Sequence, residues 1–142
     1  MTNKLKIILT GLVVVFIIWS TVMEYVYSTK WLVKSIHDEY NGIIVDTFST
    51  NRSFIFKVLI NTKDTVVISS STLTNEFYNS IGINKFIIKS KNENFVFIGN
   101  TEKDMTKVFY EKISHSDREN LFFPKEWKEK WIESSKWEQK QQ

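Results

Sequence analysis

Two short stretches of this chain bring imidazole and carboxylate groups together: His37-Asp38-Glu39 and His115-Ser116-Asp117-Arg118-Glu119. In the second, His115, Asp117 and Glu119 alternate, which on an extended strand would set all three on one face. Nitrogen and oxygen ligands of this kind suit zinc if the two stretches meet in space. Each stands beside an expected element end, where solvated polar residues collect anyway, so no metal, cofactor or catalytic residue is assigned. The run Ser69-Ser70-Ser71-Thr72 offers hydroxyls, but it lacks the glycines of a nucleophile elbow and has no histidine near it in sequence. Phe54, Phe56, Phe95 and Phe97 alternate along two stretches. They would stack on bases or sugars if exposed and form core if buried. Asn51-Arg52-Ser53 is a glycosylation sequon in an expected hairpin loop.

Composition narrows the chemistry further. The 142 residues include no cysteine, which removes disulfides, thiolate nucleophiles and most structural zinc sites. Nineteen Lys and Arg against sixteen Asp and Glu give a net charge of +3, too balanced to argue for a nucleic-acid partner. Alanine is absent while Ile, Asn, Lys and Phe abound, a pattern of AT-rich coding.

The elements that must position any site begin with Ile7 to Met23, seventeen residues without a charge, preceded by Lys4 and Lys6. As a helix this run spans roughly 26 Å, the short end of what crosses a bilayer core of about 30 Å. Ile7, Leu12, Val14, Phe16, Trp19 and Met23 are its expected lipid contacts, and Tyr25, Tyr27 and Trp31 follow at headgroup depth. A cleaved signal would end in small residues; Trp19, Met23 and Glu24 stand there instead, so an uncleaved single-pass anchor is expected. A short basic head stays in the cytoplasm, which puts the rest of the chain on the periplasmic or otherwise non-cytoplasmic side.

Leu32, Ile36 and Tyr40 continue a helical period from Ser28 to Tyr40, with Gly42 placed to close it in a left-handed turn. The period then changes to two. Strands are expected at 42–49, 53–61, 65–70, 85–90 and 95–99, with a sixth at 106–113, and one or two helical turns over Asn75 to Ile81 before Gly82. In the clearest strand, Phe54, Phe56 and Val58 face one way and Lys57 the other. Strands in this order suit a small closed barrel of five or six strands, of the oligonucleotide/oligosaccharide-binding (OB) or SH3-like type. From Pro124, at a first helical position, interleaved Lys and Glu predict a C-terminal helix. Its Trp127, Trp131 and Trp137 would either cover the open end of the barrel or touch membrane or a partner.

Four landmarks carry a family resemblance: the glycine-led strand Asn41-Gly42-Ile43-Ile44-Val45, the strand Val67-Ile68-Ser69, the short helix after it, and Ile87-Ile88-Lys89-Ser90. On these, Tyr40 to Tyr110 resembles small, uncharacterised membrane-anchored barrel proteins of low-GC Gram-negative bacteria. In that group the loop before the Ile-Ile-Lys strand carries Gly-Asp; here it reads Ile83-Asn84-Lys85. The resemblance implies a fold and no activity.

The expected organisation is thus an anchor over 1–28, a helical stalk over 29–41, a mainly β barrel over 42–114 and a C-terminal helix over 115–142. The expected function is non-enzymatic: a bilayer-held binding or accessory module for another envelope protein. Two alternatives are a barrel that binds oligosaccharide, lipid headgroup or single-stranded nucleic acid, and a metal-dependent enzyme built on the two His-acid stretches.

Overall fold

A computed structural model describes residues 3–51, 53–60 and 64–131. Helix α1 (Asn3–His37) is unbroken for 35 residues, so the expected anchor and stalk are one element. It is the one helix among the described residues long and apolar enough to cross a membrane. Two of its hydroxyls there bond to its own backbone: Thr10 Oγ1 donates to Lys6 O and Thr21 Oγ1 to Ile17 O, both at 2.9 Å. That suits a medium with no water to offer.

The helix stops at His37, three residues before the expected end, and Gly42 does not close it. Asp38 N donates to Lys34 O at 2.9 Å, and two further carbonyls at this end are taken by Lys89 Nζ, which donates to Ile36 O at 2.8 Å and Asp38 O at 2.9 Å. A cation at a helix C-terminus meets the negative end of its dipole. Strand β1 then begins at Tyr40 and runs to Ser49, with Gly42 inside it. A Cβ on Gly42 would lie 2.1 Å from Leu59 O, so the glycine serves close strand approach and not a turn.

The other strands are β2 (Phe54–Leu59), β3 (Thr65–Ser70), β4 (Phe86–Lys89), β5 (Phe95–Gly99) and β6 (Met105–Phe109), with α2 (Asn75–Ser80) between β3 and β4. All pair antiparallel, in the order β3-β2-β1-β4-β5-β6. Long β1 joins the two halves: its first residues pair with β4 and its later ones with β2, with a bulge between Ile44 and Asp46. A bulge bends and twists its strand. The expected closure is a single contact. Beyond the strand ends, Leu73 bridges Glu111, flanked by Thr74 N to Tyr110 O and Lys112 N to Thr72 O. No ladder joins β3 to β6, and the sheet is open.

The concave face holds the main core: Tyr40, Ile44, Phe54, Phe56, Val58, Ile87, Val96, Ile98, Val108 and Tyr110, capped by Phe77 of α2 and by Leu73, which precedes that helix. Phe77 lies 5.5 Å from the Phe56 ring and 5.1 Å from the Tyr110 ring. Helix α2 starts on Thr74, whose Oγ1 accepts from Phe77 N, and ends at Ile81 in extended backbone; Gly82 supplies no left-handed turn. That conformation falls to Asn84 and Asn92, side chains that tolerate it.

A second core lies on α1. Leu32 and Ile36 pack with Ile113, which precedes α3 (His115–Glu119), with Phe123 from the turn between α3 and α4 (Lys125–Lys130), and with Trp127 of α4 and Trp131 at its C-cap. Pro124 is the N-cap of α4, one place earlier than expected. Trp127 and Trp131 are 7% and 4% exposed. They therefore neither cover a barrel mouth nor face lipid; they fix the folded domain to the helix. Because Thr29, Leu32 and Ile36 are buried, the domain begins inside α1 and not at residue 42. Trp137 and the rest of the expected C-terminal helix lie outside the described residues.

Candidate functional site

Among the described residues the most buried carboxylate, that of Glu111, sits where three elements meet. Past β6, Asn94 grips the backbone of Glu111 at both ends: Nδ2 donates to Glu111 O at 2.8 Å and Glu111 N donates to Oδ1 at 2.9 Å. This clamp ends β6 at Phe109, short of the expected Ile113, and turns the Glu111 side chain inward. Ser35 of α1 donates to Oε1, while Ser70 Oγ and Thr72 Oγ1 each donate to Oε2 at 2.8 Å. Burial pushes the Glu111 carboxyl above its ordinary pKa, against those hydroxyls and the nearby Lys89 charge, which pull it down. Lys89 is 2% exposed, and burial draws its ammonium down to about 8. Burial likewise raises the phenols of Tyr40 and Tyr110, whose rings are 6.5 Å apart.

Above Glu111 opens a cleft of about 280 Å³ lined by Ser28, Trp31, Ser35, Ser70, Ser71 and Thr72 among others. A neighbouring cleft of about 420 Å³ shares Trp31, Ser35 and Ser69 and extends past Lys34 to Val66 and Val67. Together they make a trough between α1 and the edge of β3, a strand that among the described residues pairs with β2 alone. Thr65, Val67 and Ser69 are exposed along that edge. The Ser69–Thr72 hydroxyls, weighed as nucleophiles in the sequence, instead donate to a carboxylate or line the trough. Both Glu111 oxygens are occupied by donors, so the group is a poor base but a firm joint. An unpaired strand edge beside a groove can take up an extended peptide.

Glu111 also sets a pH dependence. Its pKa is raised in the folded state, so its contribution is full below the ordinary carboxyl value and is lost as pH climbs through the folded one. Glu111→Gln carries no such loss. Its melting temperature should therefore gain on that of the parent protein as the pH goes from about 4 to about 7. A constant difference across that range would show that Glu111 titrates as it does in the unfolded chain.

The other groups singled out in the sequence fall apart. His115, Asp117 and Glu119 lie on a helix, where alternation does not align them. Asp117 is used in a capping box with Ser114, accepting from Ser114 N at 3.0 Å while Ser114 Oγ accepts from Asp117 N at 3.1 Å. His37 Nδ1 lies 2.7 Å from Asn92 Oδ1. Among the described residues no three His, Asp or Glu side chains converge as a metal site would require. Of the proposed stacking aromatics, Phe54 and Phe56 are core, and Phe95 and Phe97 are half-buried on the outer face, with Lys107 Nζ 3.6 Å from the Phe95 ring centre. Sequence reading missed Glu111 and Lys89. The signal available was a charge at the end of each of two apolar runs, Lys89 after Phe86-Ile87-Ile88 and Glu111 after Val108-Phe109-Tyr110.

No family model, curated protein or solved structure matches this chain.

Proposed function

We propose that the protein is a non-enzymatic, single-pass membrane protein whose β domain is a binding or accessory module for another envelope protein, standing on the non-cytoplasmic side. The observation that carries this is the trough between α1 and β3. It is the place where an open backbone edge, an exposed Trp31 and exposed Val67 come together, a few turns beyond the apolar part of α1. A partner's extended segment would add to β3 by main-chain hydrogen bonds and seat side chains in the two clefts. Because α1 runs unbroken from its apolar part into the second core, such a partner would be held at a fixed distance from the bilayer.

The strand order supports a finer reading as well. Strands β1 to β3, a helix, then β4 and β5, with β1 between β2 and β4, is the arrangement of an OB-like rather than an SH3-like domain. We read β6 as an addition to it, and the likeness to small membrane-anchored barrel proteins as part of the same proposal.

A photo-crosslinking residue at Val67 in the full-length protein, activated in native membranes, should give a discrete adduct with one other protein. The same residue at Glu102, exposed in the β5–β6 turn, should not. Equal labelling at both positions, or none at either, overturns the reading.

A further inference from the structure

We propose that the turn between α3 and α4 is a second membrane contact, with Leu121 and Phe122 entering the interfacial layer of the bilayer that α1 crosses. This rests on the single-pass reading above, and its test separates the two.

The turn is built against α1. Asn120 Nδ2 donates to Thr29 Oγ1 at 2.8 Å and reaches Tyr25 O at 3.4 Å, while its Oδ1 accepts from Phe122 N at 3.0 Å. Phe123 N then donates to Asn120 O, and the Phe123 ring is buried in the second core. With both flanks fixed, the middle of the turn points out: Leu121 is 96% exposed and Phe122 46%. A single exposed leucine is ordinary. Here its neighbour is an exposed phenylalanine, and both are held rigidly at one level of α1.

That level is the bilayer boundary. From Lys4 to Val22 the described side chains of α1 are all exposed, and Met23, Val26 and Thr29 are the first to lose exposure. The apolar run ending at Met23 covers about 26 Å of a hydrocarbon layer of about 30 Å, so the layer reaches about three residues further, to Tyr25 or Val26. Asn120 ties the turn to α1 at Tyr25 and Thr29, within a turn of that plane. Exposed Tyr25 and Tyr27 stand on the helix at the same depth. Lys30 Nζ lies 4.7 Å from the centre of the Phe122 ring, a cation beside an apolar wedge, as suits the phosphate layer. Two attachments fix the tilt of the domain where one helix would let it swing.

The chain has no cysteine, so a single introduced one carries a fluorescent label uniquely. Leu121→Cys, Lys91→Cys and Val14→Cys would be labelled with bimane in the full-length protein. Each would be reconstituted into vesicles of phosphatidylcholine and phosphatidylglycerol with or without headgroup- and shallow-chain spin-labelled lipid. Lys91 neighbours Asn92, which meets His37 at the far end of α1, roughly 18 Å beyond Tyr25 by helix rise. The label at 121 should lose roughly half its emission or more to the quenching lipid, the label at 91 little, and the label at 14 should be quenched by a deep-chain probe. Phe122→Cys repeats the measurement should Leu121→Cys fold poorly. Quenching at 14 with 121 behaving like 91 overturns the second contact and leaves the span intact. A label at 121 shielded from aqueous iodide yet untouched by lipid quencher means the turn is covered by protein, which also overturns it. No quenching at 14 overturns the span, and the inference with it.

Discussion

Phe56→Ala is expected to cost about 3–5 kcal/mol, most of the stability of a domain this small, while Lys57→Ala one residue along costs about 1 kcal/mol or less. Phe56 is fully buried between Tyr40, Phe54 and Phe77, with ring centres 6.1, 6.2 and 5.5 Å away. Removing the ring leaves a cavity on the concave face of β2, and β1 and β3 on either side are hydrogen-bonded in place and cannot collapse into it. Lys57 points to the opposite face, where its Nζ meets Asp46 Oδ2 at 2.9 Å in the open. The Lys57 hydrogen bond and charge hold the Asp46 carboxyl below its usual pKa, but exposed pairs contribute little. Denaturant unfolding of the two full-length variants in detergent micelles measures both costs. Equal losses would mean that β2 is paired one residue out of register, because a one-residue slip exchanges the faces.

That register was legible because period-two alternation is a local signal. Phe54, Phe56 and Val58 read as core from the sequence and are core, and the strands at 65–70 and 95–99 keep their expected bounds. What failed needed information from far along the chain. Gly42 and Gly82 read as helix terminators, but the end of α1 is set by Lys89, more than fifty residues away. The end of β6 is set by Asn94 gripping Glu111, and nothing near Ile113 announces it. His115, Asp117 and Glu119 looked like a strand face because a capping box and an alternating triad share the same letters; Ser114 decides between them. The candidate site was the least legible part. Its donors come from α1, from the end of β3 and from the segment after it, and its acceptor from beyond β6, so no window of sequence contains it.

Trp127→Ala is expected to be as damaging as the loss of Phe56, about 3–5 kcal/mol, and to lower the melting temperature by several degrees or more. The Trp127 ring lies 4.9 Å from Trp131 and 6.1 Å from Phe123, and all three pack on Leu32 and Ile36. A charged helix of Lys and Glu has no reason of its own to lie down; these rings are what bring α4 to α1, with Lys130 and Glu93 joined at 2.6 Å as a minor addition. The main core, built from the sheet and α2, shares no buried residue with this cluster. The variant should therefore keep its strands, by far-ultraviolet circular dichroism, while protease gains access to the segment beyond Ile113. Trp19 and Trp31 are exposed on α1, so the change in indole emission on losing Trp127 reports the cluster and not the sheet. If Trp127→Ala leaves the melting temperature unchanged, the rings are not interior in solution. The C-terminal tryptophans would then return as contacts for membrane or partner, and the domain would be held to its helix by the hydrogen bonds of Thr29, Ser35, Ile36 and His37 without the ring cluster.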